Sequence, residues 1–369
     1  MNILRRINLM SNTQPEMVKP GKTRKLLRFI LIVVINIGIV AYIAVKEFGS
    51  DAGGVQNIAR LDINMAYLIF GVACFGVAVL METLKYQAMM RAAAGRPDLR
   101  GAFECAILGK YYDNITPLGS GGQPFQIYYL KKRGLSNGTC AALPIAGFLV
   151  LQAAFVLVAV TIFIFNGSVA ENVAAIRISA YVGLIFYLFV PVCIILLTII
   201  PKAFGSMVRA CVKALYKIHI IKDYDLALTR IFGSLGEYRE SLKILWRSPR
   251  LLVKLLIFSI IYQVAILSIP FFVLRAFGGT HSWWMVFSLM VFIYAAITII
   301  PTPGNAGAAE GSFYAVFTSL TSGYLFWVMV IWRVLCYYSW LAAGLIIIAS
   351  SAMRTSKSRD KRQISAEAD

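Results

Sequence analysis

The sequence predicts an all-α, polytopic integral membrane protein, and three features of the chain lead to this prediction. Of the 369 residues, 59% are hydrophobic and 14% are charged, whereas about 25% of the residues in a soluble domain are charged. Lys and Arg lie between apolar runs and at the two termini rather than on one basic domain. Apolar runs long enough to cross a bilayer cover residues 26–46, 64–86, 138–166, 174–200, 251–277, 282–300 and 324–350.

The N-terminal part of the chain is predicted to stay in the membrane as an uncleaved anchor. Residues 1–25 are basic and are placed in the cytoplasm. The apolar run that follows is too long for the hydrophobic region of a signal peptide and lacks a small-residue cleavage site at its end. The mixed to acidic connection 47–63 is then outside, and the basic segment 85–110 is inside.

The longest polar stretch, residues 201–250, contains ten Lys or Arg and is placed inside. Its apolar residues recur at roughly helical spacing, so we expect one or two amphipathic helices along the cytoplasmic face. The basic tail, residues 351–369, is also placed inside. The transmembrane domain is therefore predicted to cover residues 26–350, with both termini cytoplasmic.

Two short stretches, residues 111–125 and 300–313, interrupt the apolar sequence in a similar way. Each has Thr-Pro, then several Gly, then a polar or acidic residue, then an aromatic residue. Because residues 100–131 begin and end on the inner side, the first stretch is predicted to enter the membrane and return as a re-entrant hairpin. The second must carry the chain back outwards as a broken helix over residues 301–322, which brings the total to about eight crossings.

The interrupted stretches predict a substrate site inside the membrane. Irregular backbone survives there only against protein or a water-filled cavity, and broken helices in two halves of a transporter indicate the binding site. Free N–H groups at the start of a half-helix suit a phosphate or carboxylate. The predicted substrate-binding residues are Asp113, Asn114, Thr116, Gly121, Gly122, Gln123 and Gln126 in the first stretch, Thr302, Pro303, Gly304, Asn305 and Glu310 in the second, and Arg333 in the last span.

Ionisable residues inside the apolar runs refine this site. Arg333 lies far from either end of its span, and an intramembrane charge is a functional hypothesis by default. We predict that Arg333 holds a lipid phosphate, with Glu310 or Asp113 as its partner or as the group that meets a cationic headgroup. A structural clamp on backbone carbonyls is the alternative for Arg333. Glu82 and Lys85, three residues apart, are interpreted as an interfacial structural pair.

Several other classes of protein are disfavoured by the sequence. The formal net charge of +19 fits attraction to anionic lipid better than nucleic-acid binding. No pair of the six Cys has metal-type spacing and the two His are far apart, so we expect neither a metal nor another cofactor. P-loop, G-x-S-x-G and H-E-x-x-H motifs are lacking, and we expect no catalytic residues. Gln152 and Gln263, within apolar runs, are interpreted as interhelical hydrogen-bonding residues.

Both interrupted stretches resemble a known family. The residues from Gly109 to Pro117 followed by Gly121-Gly122-Gln123-Pro124, and Pro301-Thr302-Pro303-Gly304 followed by Gly307, Glu310 and Gly311, resemble the lysylphosphatidylglycerol synthase transmembrane region. This region is the flippase half of the multiple-peptide-resistance factor. The resemblance covers about residues 26–350.

The resemblance implies a lipid flippase that moves lysyl-phosphatidylglycerol from the inner to the outer leaflet of the bacterial cytoplasmic membrane. Such transport lowers the negative surface charge and provides resistance to cationic antimicrobial peptides. The printed chain ends about twenty residues after the last run, so we expect no synthase domain in it and a separate lipid synthase as a partner. A homo-oligomer is compatible with the sequence. The alternatives are a phosphatidylglycerol lysyltransferase that uses lysyl-tRNA, or a subunit of one, and a flippase for a polyprenyl-linked sugar or another phospholipid.

Overall fold

The computed structural model describes residues 63–95, 97–170, 174–199, 248–318 and 324–350, with residue 320 and isolated positions between 205 and 228. Within these residues the chain is helical and forms no β-strand, which confirms the predicted all-α fold. The predicted first span, both terminal segments and almost all of the 201–250 segment lie outside the described residues.

The described helices follow the chain in the order of the predicted runs, and their bounds are as follows. They are α1 Met65–Ala94, α2 Leu99–Asn114, α3 Gly122–Lys132, α4 Asn137–Phe165, α5 Ala174–Ile199, α6 Pro249–Ala276, α7 Trp283–Ile297, α8 Ala308–Phe317 and α9 Leu325–Arg333. A π-helical turn, Val334–Tyr338, follows α9 directly, and the chain stays helical to residue 350.

The long apolar helices identify a membrane protein. Within the described residues, the helices long and apolar enough to cross a bilayer are Met65–Ala93, Asn137–Phe165, Pro249–Ala276 and Leu325–Ser350. Ala175–Phe189 and Trp283–Ile297 are shorter apolar helical segments. The total of eight crossings stays a prediction.

Helix α1 is longer than its predicted apolar run because the sequence offers no stop signal before Gly95. The helix begins after Asn64, whose side chain accepts a hydrogen bond from the N–H of Ala66 at 3.1 Å. It ends at Gly95, which adopts the left-handed conformation with φ 67° and donates its N–H to the Arg91 carbonyl. Lys85 and Glu82 consequently lie inside α1 and not at its end.

Helices α2 and α3 form the predicted helical hairpin. Asp98 caps α2 by accepting a hydrogen bond from the N–H of Gly101 at 2.7 Å. Arg133, just after α3, forms ion pairs with Asp98 and with Glu104, the latter at 3.1 Å. These contacts join the start of α2 to the end of α3, so the hairpin begins and ends on the same side of the helical bundle.

The core of the bundle is apolar and close-packed. Helix α1 packs along α6, and α5 packs against α7. At Gly183 of α5 a Cβ atom would overlap the carbonyl of Ala295, so the absence of a side chain lets these two backbones approach closely. Asn166, at the end of α4, donates a hydrogen bond to the hydroxyl of Ser288 in α7 at 2.8 Å.

The second interruption occurs where the sequence predicts it. Helix α7 ends at Ile297, and Pro301 and Pro303 have no N–H to continue a helical ladder. Helix α8 begins after Gly307, whose φ of 85° suits a glycine. The irregular segment between α7 and α8 brings its backbone against the hairpin.

Candidate functional site

The two interrupted stretches, far apart in the chain, meet in the folded protein. The hairpin tip contacts the irregular segment through an isolated antiparallel bridge between Pro117 and Pro303. Close by, the Tyr337 hydroxyl in the π-helical turn donates a hydrogen bond to the Asn114 carbonyl at 3.3 Å. The stretches therefore form adjoining walls of one site.

A partly open cavity of about 290 Å³ lies beside this junction and is lined by residues from each of the helices α1 to α9 and from the two stretches. Its wall contains many aromatic rings and several amide side chains. The charged residues on the wall are Glu82, Lys85, Lys110, Asp113 and Arg333. This is the polar cavity that irregular backbone within a membrane domain requires.

Arg333, one of the charged residues on the wall, forms a buried ion pair with Glu310. Arg333 donates its Nε–H to Oε1 of Glu310 at 2.6 Å, and their side chains are 8% and 2% exposed. Its Nη1 lies 3.4 Å from the Gly304 carbonyl oxygen. Among the described residues, its buried Nη2 has no hydrogen-bond partner. Arg333 therefore lines the cavity and has, at Nη2, a buried N–H group that lacks a hydrogen-bond partner among these residues.

Glu310 is held from two sides and does not line the cavity. While Oε1 accepts from Arg333, Oε2 accepts from the N–H of Gly307 at 2.7 Å and so caps α8. One carboxylate thus joins the start of α8 to the guanidinium of α9. Of the two predicted partners of Arg333, the structure selects Glu310.

The hairpin tip satisfies its own backbone through short side chains. Oδ1 of Asp113, near the end of α2, accepts the N–H of Gly122 at the start of α3 at 2.8 Å. Thr116 accepts the N–H of Gly121 at 2.8 Å and donates its hydroxyl to the Tyr112 carbonyl at the same distance. A Cβ atom at Gly122 would collide with the Asp113 carboxylate, so the close approach requires glycine.

Comparison with known proteins assigns this fold to a family. The model of the family described as "Lysylphosphatidylglycerol synthase TM region" matches residues 27–344. The chain belongs to this family. The chain is also similar to two relatives described as UPF0104 membrane proteins. One, from Archaeoglobus fulgidus, is 23% identical over 267 residues, which cover 69% of this chain and 77% of the relative. The other, from Pyrococcus horikoshii, is 19% identical over 288 residues, covering 75% and 83%.

In this family member, the residues predicted to bind substrate fall into two groups. Those that line the cavity are Asp113, Asn114, Gln123, Gln126, Gly304, Asn305 and Arg333. Those that lie off its wall are Thr116, Gly121, Gly122, Thr302, Pro303 and Glu310. The second group shapes the turns or supports Arg333, and the hydroxyl of Thr302 is buried without a hydrogen-bond partner among the described residues.

The predicted pair Glu82–Lys85 forms and lies in the cavity wall, while its depth relative to the membrane interface stays a prediction. The Lys85 ammonium is 2.9 Å and 2.8 Å from the two carboxylate oxygens of Glu82, and the side chains are 1% and 4% exposed. The Lys85 ammonium also donates to the Gly147 carbonyl of α4 at 3.4 Å. The pair is buried because α4 packs over this turn of α1, which the sequence alone does not reveal.

Lys110 was not among the predicted site residues; in the sequence it served as a marker of the inner side and as part of the motif that carries the resemblance. Its ammonium lies 4.9 Å from the centroid of the Tyr262 ring, on the cavity wall. The available signal was its position three residues before Asp113, which places both on one face of α2. Gln152 and Gln263, interpreted as interhelical residues, also line the cavity.

Proposed function

We propose that this membrane protein moves a phospholipid from the inner to the outer leaflet of the bacterial cytoplasmic membrane. The observation that carries the proposal is the Nη2 group of Arg333. It is buried and unpartnered among the described residues, and its side chain lines a cavity between membrane-spanning helices.

A lipid phosphate satisfies this open donor. A buried charged N–H group without a partner is costly, and a phosphate oxygen at Nη2 would remove that cost. The guanidinium presents two parallel donors that match phosphate geometry. Nη1 contacts the Gly304 carbonyl at 3.4 Å with one N–H, and its other N–H is parallel to an N–H of Nη2 in the planar guanidinium, so both groups can bind the same phosphate.

Lysyl-phosphatidylglycerol is the cargo that we propose. Its headgroup carries ammonium groups besides the phosphate, and the wall offers a carboxylate for one of them. Both oxygens of Glu310 accept hydrogen bonds, and both oxygens of Glu82 contact Lys85. Asp113 uses Oδ1 for the Gly122 N–H, which leaves Oδ2 for a headgroup ammonium. The family description is consistent with this lipid.

Transport of this cargo needs no bond to be made or broken in the cavity. The phosphate bound at Arg333 and the ammonium at Asp113 would leave the acyl chains in the surrounding bilayer while the headgroup crosses through the polar interior. A separate synthase would supply the lysylated lipid. Its arrival in the outer leaflet would reduce the negative surface potential and weaken the attraction of cationic peptides.

The test uses proteoliposomes that contain lysyl-phosphatidylglycerol in both leaflets. An amine reagent that cannot cross the bilayer labels the outer pool at once, and inner lipid becomes reactive only as it is transported. We expect labelling by the wild type to exceed that of protein-free liposomes at least tenfold. Arg333→Gln should abolish the excess, and Arg333→Lys should retain part of it.

The matched control is Arg275→Gln, because Arg275 lies in the last turn of α6 and does not line the cavity. Labelling no faster than in protein-free liposomes would overturn the proposal. The transferase alternative predicts a different result in cells. Deletion would then remove lysyl-phosphatidylglycerol itself, whereas loss of a translocase changes only its distribution between leaflets.

A further inference from the structure

The charged side chains around the cavity balance, and the balance depends on Lys110. Arg333 pairs with Glu310 and Lys85 pairs with Glu82, with nitrogen–oxygen distances of 2.6–2.9 Å. The remaining charges on the wall are Lys110 and Asp113. In the part of the chain that the structure describes, no carboxylate forms an ion pair with Lys110, whose ammonium lies over the Tyr262 ring.

Lys110 nevertheless shares the cavity wall with two carboxylates, those of Glu82 and Asp113. Lys110 precedes Asp113 by about one turn of α2, which places both on one face of that helix, and Glu82 of α1 lines the same cavity. Lys85, which pairs with Glu82, is the other ammonium on this part of the wall. The part of the wall formed by α1 and α2 thus holds two carboxylates, Glu82 and Asp113, and two ammonium groups, Lys85 and Lys110, so its net charge is zero.

We infer that Lys110 is a specificity-determining residue, which sets how strongly the cavity prefers a headgroup with an ammonium group over one without. The inference rests on the proposed function and deepens it. While Lys110 offsets the charge of Asp113, an arriving headgroup ammonium must compete with the Lys110 ammonium for the attraction of the Asp113 carboxylate. Without Lys110 the wall has one net negative charge, and water screens such a charge weakly inside a membrane domain.

Two lipids with the same glycerol-phosphate unit separate this effect from phosphate binding. Lysyl-phosphatidylglycerol carries the ammonium groups and phosphatidylglycerol does not. Both are supplied with the same fluorophore on an acyl chain, and an impermeant quencher reports the outer-leaflet pool of each in parallel samples. The measured quantity is the ratio of the two initial transport rates, which a general loss of folded protein leaves unchanged.

We expect Lys110→Gln to raise the ratio of lysylated to unlysylated lipid about tenfold, which corresponds to about 1.4 kcal/mol. Asp113→Asn should lower the ratio by a similar factor, because it leaves a net positive wall. The double variant Lys110→Gln/Asp113→Asn is neutral again and should return towards the wild-type ratio. Lys110→Arg keeps the charge and should leave the ratio near that of the wild type.

Two further variants serve as controls. Lys254→Gln removes a lysine of α6 that lies over Phe258 and not on the cavity wall, so its ratio should equal that of the wild type. Arg333→Gln should slow both lipids together. An unchanged ratio in both Lys110→Gln and Asp113→Asn would overturn the inference.

A second measurement decides the inference separately from transport. Native mass spectrometry of the purified protein, equilibrated with equal amounts of the two lipids, gives the ratio in which they are retained. A shift of this ratio in Lys110→Gln supports the role of Lys110 even if the wild type transports neither lipid, a result that would overturn only the proposed function. No shift in retention together with no shift in transport would overturn the role of Lys110.

Discussion

The two interrupted stretches are alike in sequence but use their acidic residues in opposite ways. Asp113 precedes the glycines of its stretch, lines the cavity and accepts the N–H of Gly122. Glu310 follows Gly304 and Gly307, accepts the N–H of Gly307 and forms the ion pair with Arg333 without lining the cavity itself. The position of the acid relative to the helix start therefore decides whether it faces the cavity or supports the residue that does.

The largest effect should come from removing the supporting acid. Glu310→Ala leaves a buried guanidinium without its partner and uncaps α8, and we expect a loss of about 3–5 kcal/mol in the free energy of unfolding. Asp113→Ala should cost clearly less, because Asp113 lines the cavity and forms no ion pair at contact distance among the described residues. Thermal unfolding in detergent measures both.

Glu310→Gln is the matched control for this comparison, since an amide oxygen can still accept one of the two hydrogen bonds. Its unfolding temperature should lie between those of the wild type and Glu310→Ala. If Glu310→Ala and Asp113→Ala lower the unfolding temperature equally, the distinction between a supporting and a facing acid fails.

A somewhat smaller effect is expected at the glycine that brings the second stretch against the π-helical turn. Gly304 has a φ of 60°, and a Cβ atom there would overlap the Tyr337 ring. Gly304→Ala should lower the stability by about 2 kcal/mol through backbone strain alone, and the overlap adds to this. The measurement is the unfolding temperature together with the yield of monodisperse protein.

Gly311 provides the control, because a Cβ atom at this position in α8 meets nothing within 4 Å. Gly311→Ala should be neutral or slightly stabilising, since alanine favours the helix by about 0.5–1 kcal/mol over glycine. Equal losses at both positions would contradict the close packing of Gly304 on Tyr337.

The contact between the two stretches is the next test. Tyr337→Phe removes the hydroxyl that donates to the Asn114 carbonyl, and we expect a loss of about 1 kcal/mol. Hydrogen exchange of the hairpin should increase at the same time, because the tip loses a tie to the last span. Tyr338→Phe, at a residue for which the described chain shows no hydrogen bond to the hairpin, should change neither measurement.

The smallest effect is expected at the base of the hairpin, where Arg133 pairs with Asp98 and Glu104 at partly exposed positions. Arg133→Gln should cost at most about 1 kcal/mol, as partly exposed ion pairs do. Burial alone would raise the pKa of Glu104, but hydrogen bonds from Tyr129, Arg100 and Arg133 outweigh it and lower the pKa.

The sign of the pH dependence follows from this lowered pKa. The stabilisation by Glu104 is complete above the ordinary glutamate value of 4.5 and is lost as the pH falls through the lower value of the folded protein. The difference in unfolding temperature between the wild type and Arg133→Gln should therefore shrink below about pH 4.5. Arg250→Gln, at an exposed residue of α6, is the control, and a difference that grows at low pH would contradict this account.

Helix positions were largely predictable because bilayer-length apolar runs leave few alternatives. The predicted runs 138–166 and 251–277 differ by only one or two residues at each end from α4 and α6. The helical hairpin was predicted from the positions of basic segments, and the structure closes it with Arg133. The π-helical turn after Arg333 was not predicted, since it lies in an uninterrupted apolar run.

The candidate site was predictable in its location but not in the direction of its side chains. The two interruptions and Arg333 were evident because Pro, Gly and a charge stand out in apolar sequence. Lys110 did not stand out, because a lysine at the edge of a basic segment resembles any other topology marker. Its position over Tyr262 depends on α6, more than 130 residues further along the chain.

The sequence by itself determined a helical membrane protein of a known family and two interrupted stretches, and it limited the partner of Arg333 to two candidates, Glu310 and Asp113. These follow from local composition, since hydropathy, missing donors and isolated charges act within a single segment. Only the tertiary structure decided that Glu310 stands behind the wall while Asp113, Glu82, Lys85 and Lys110 line it. That outcome depends on helices remote in sequence, whose packing fixes which face of each helix meets the cavity.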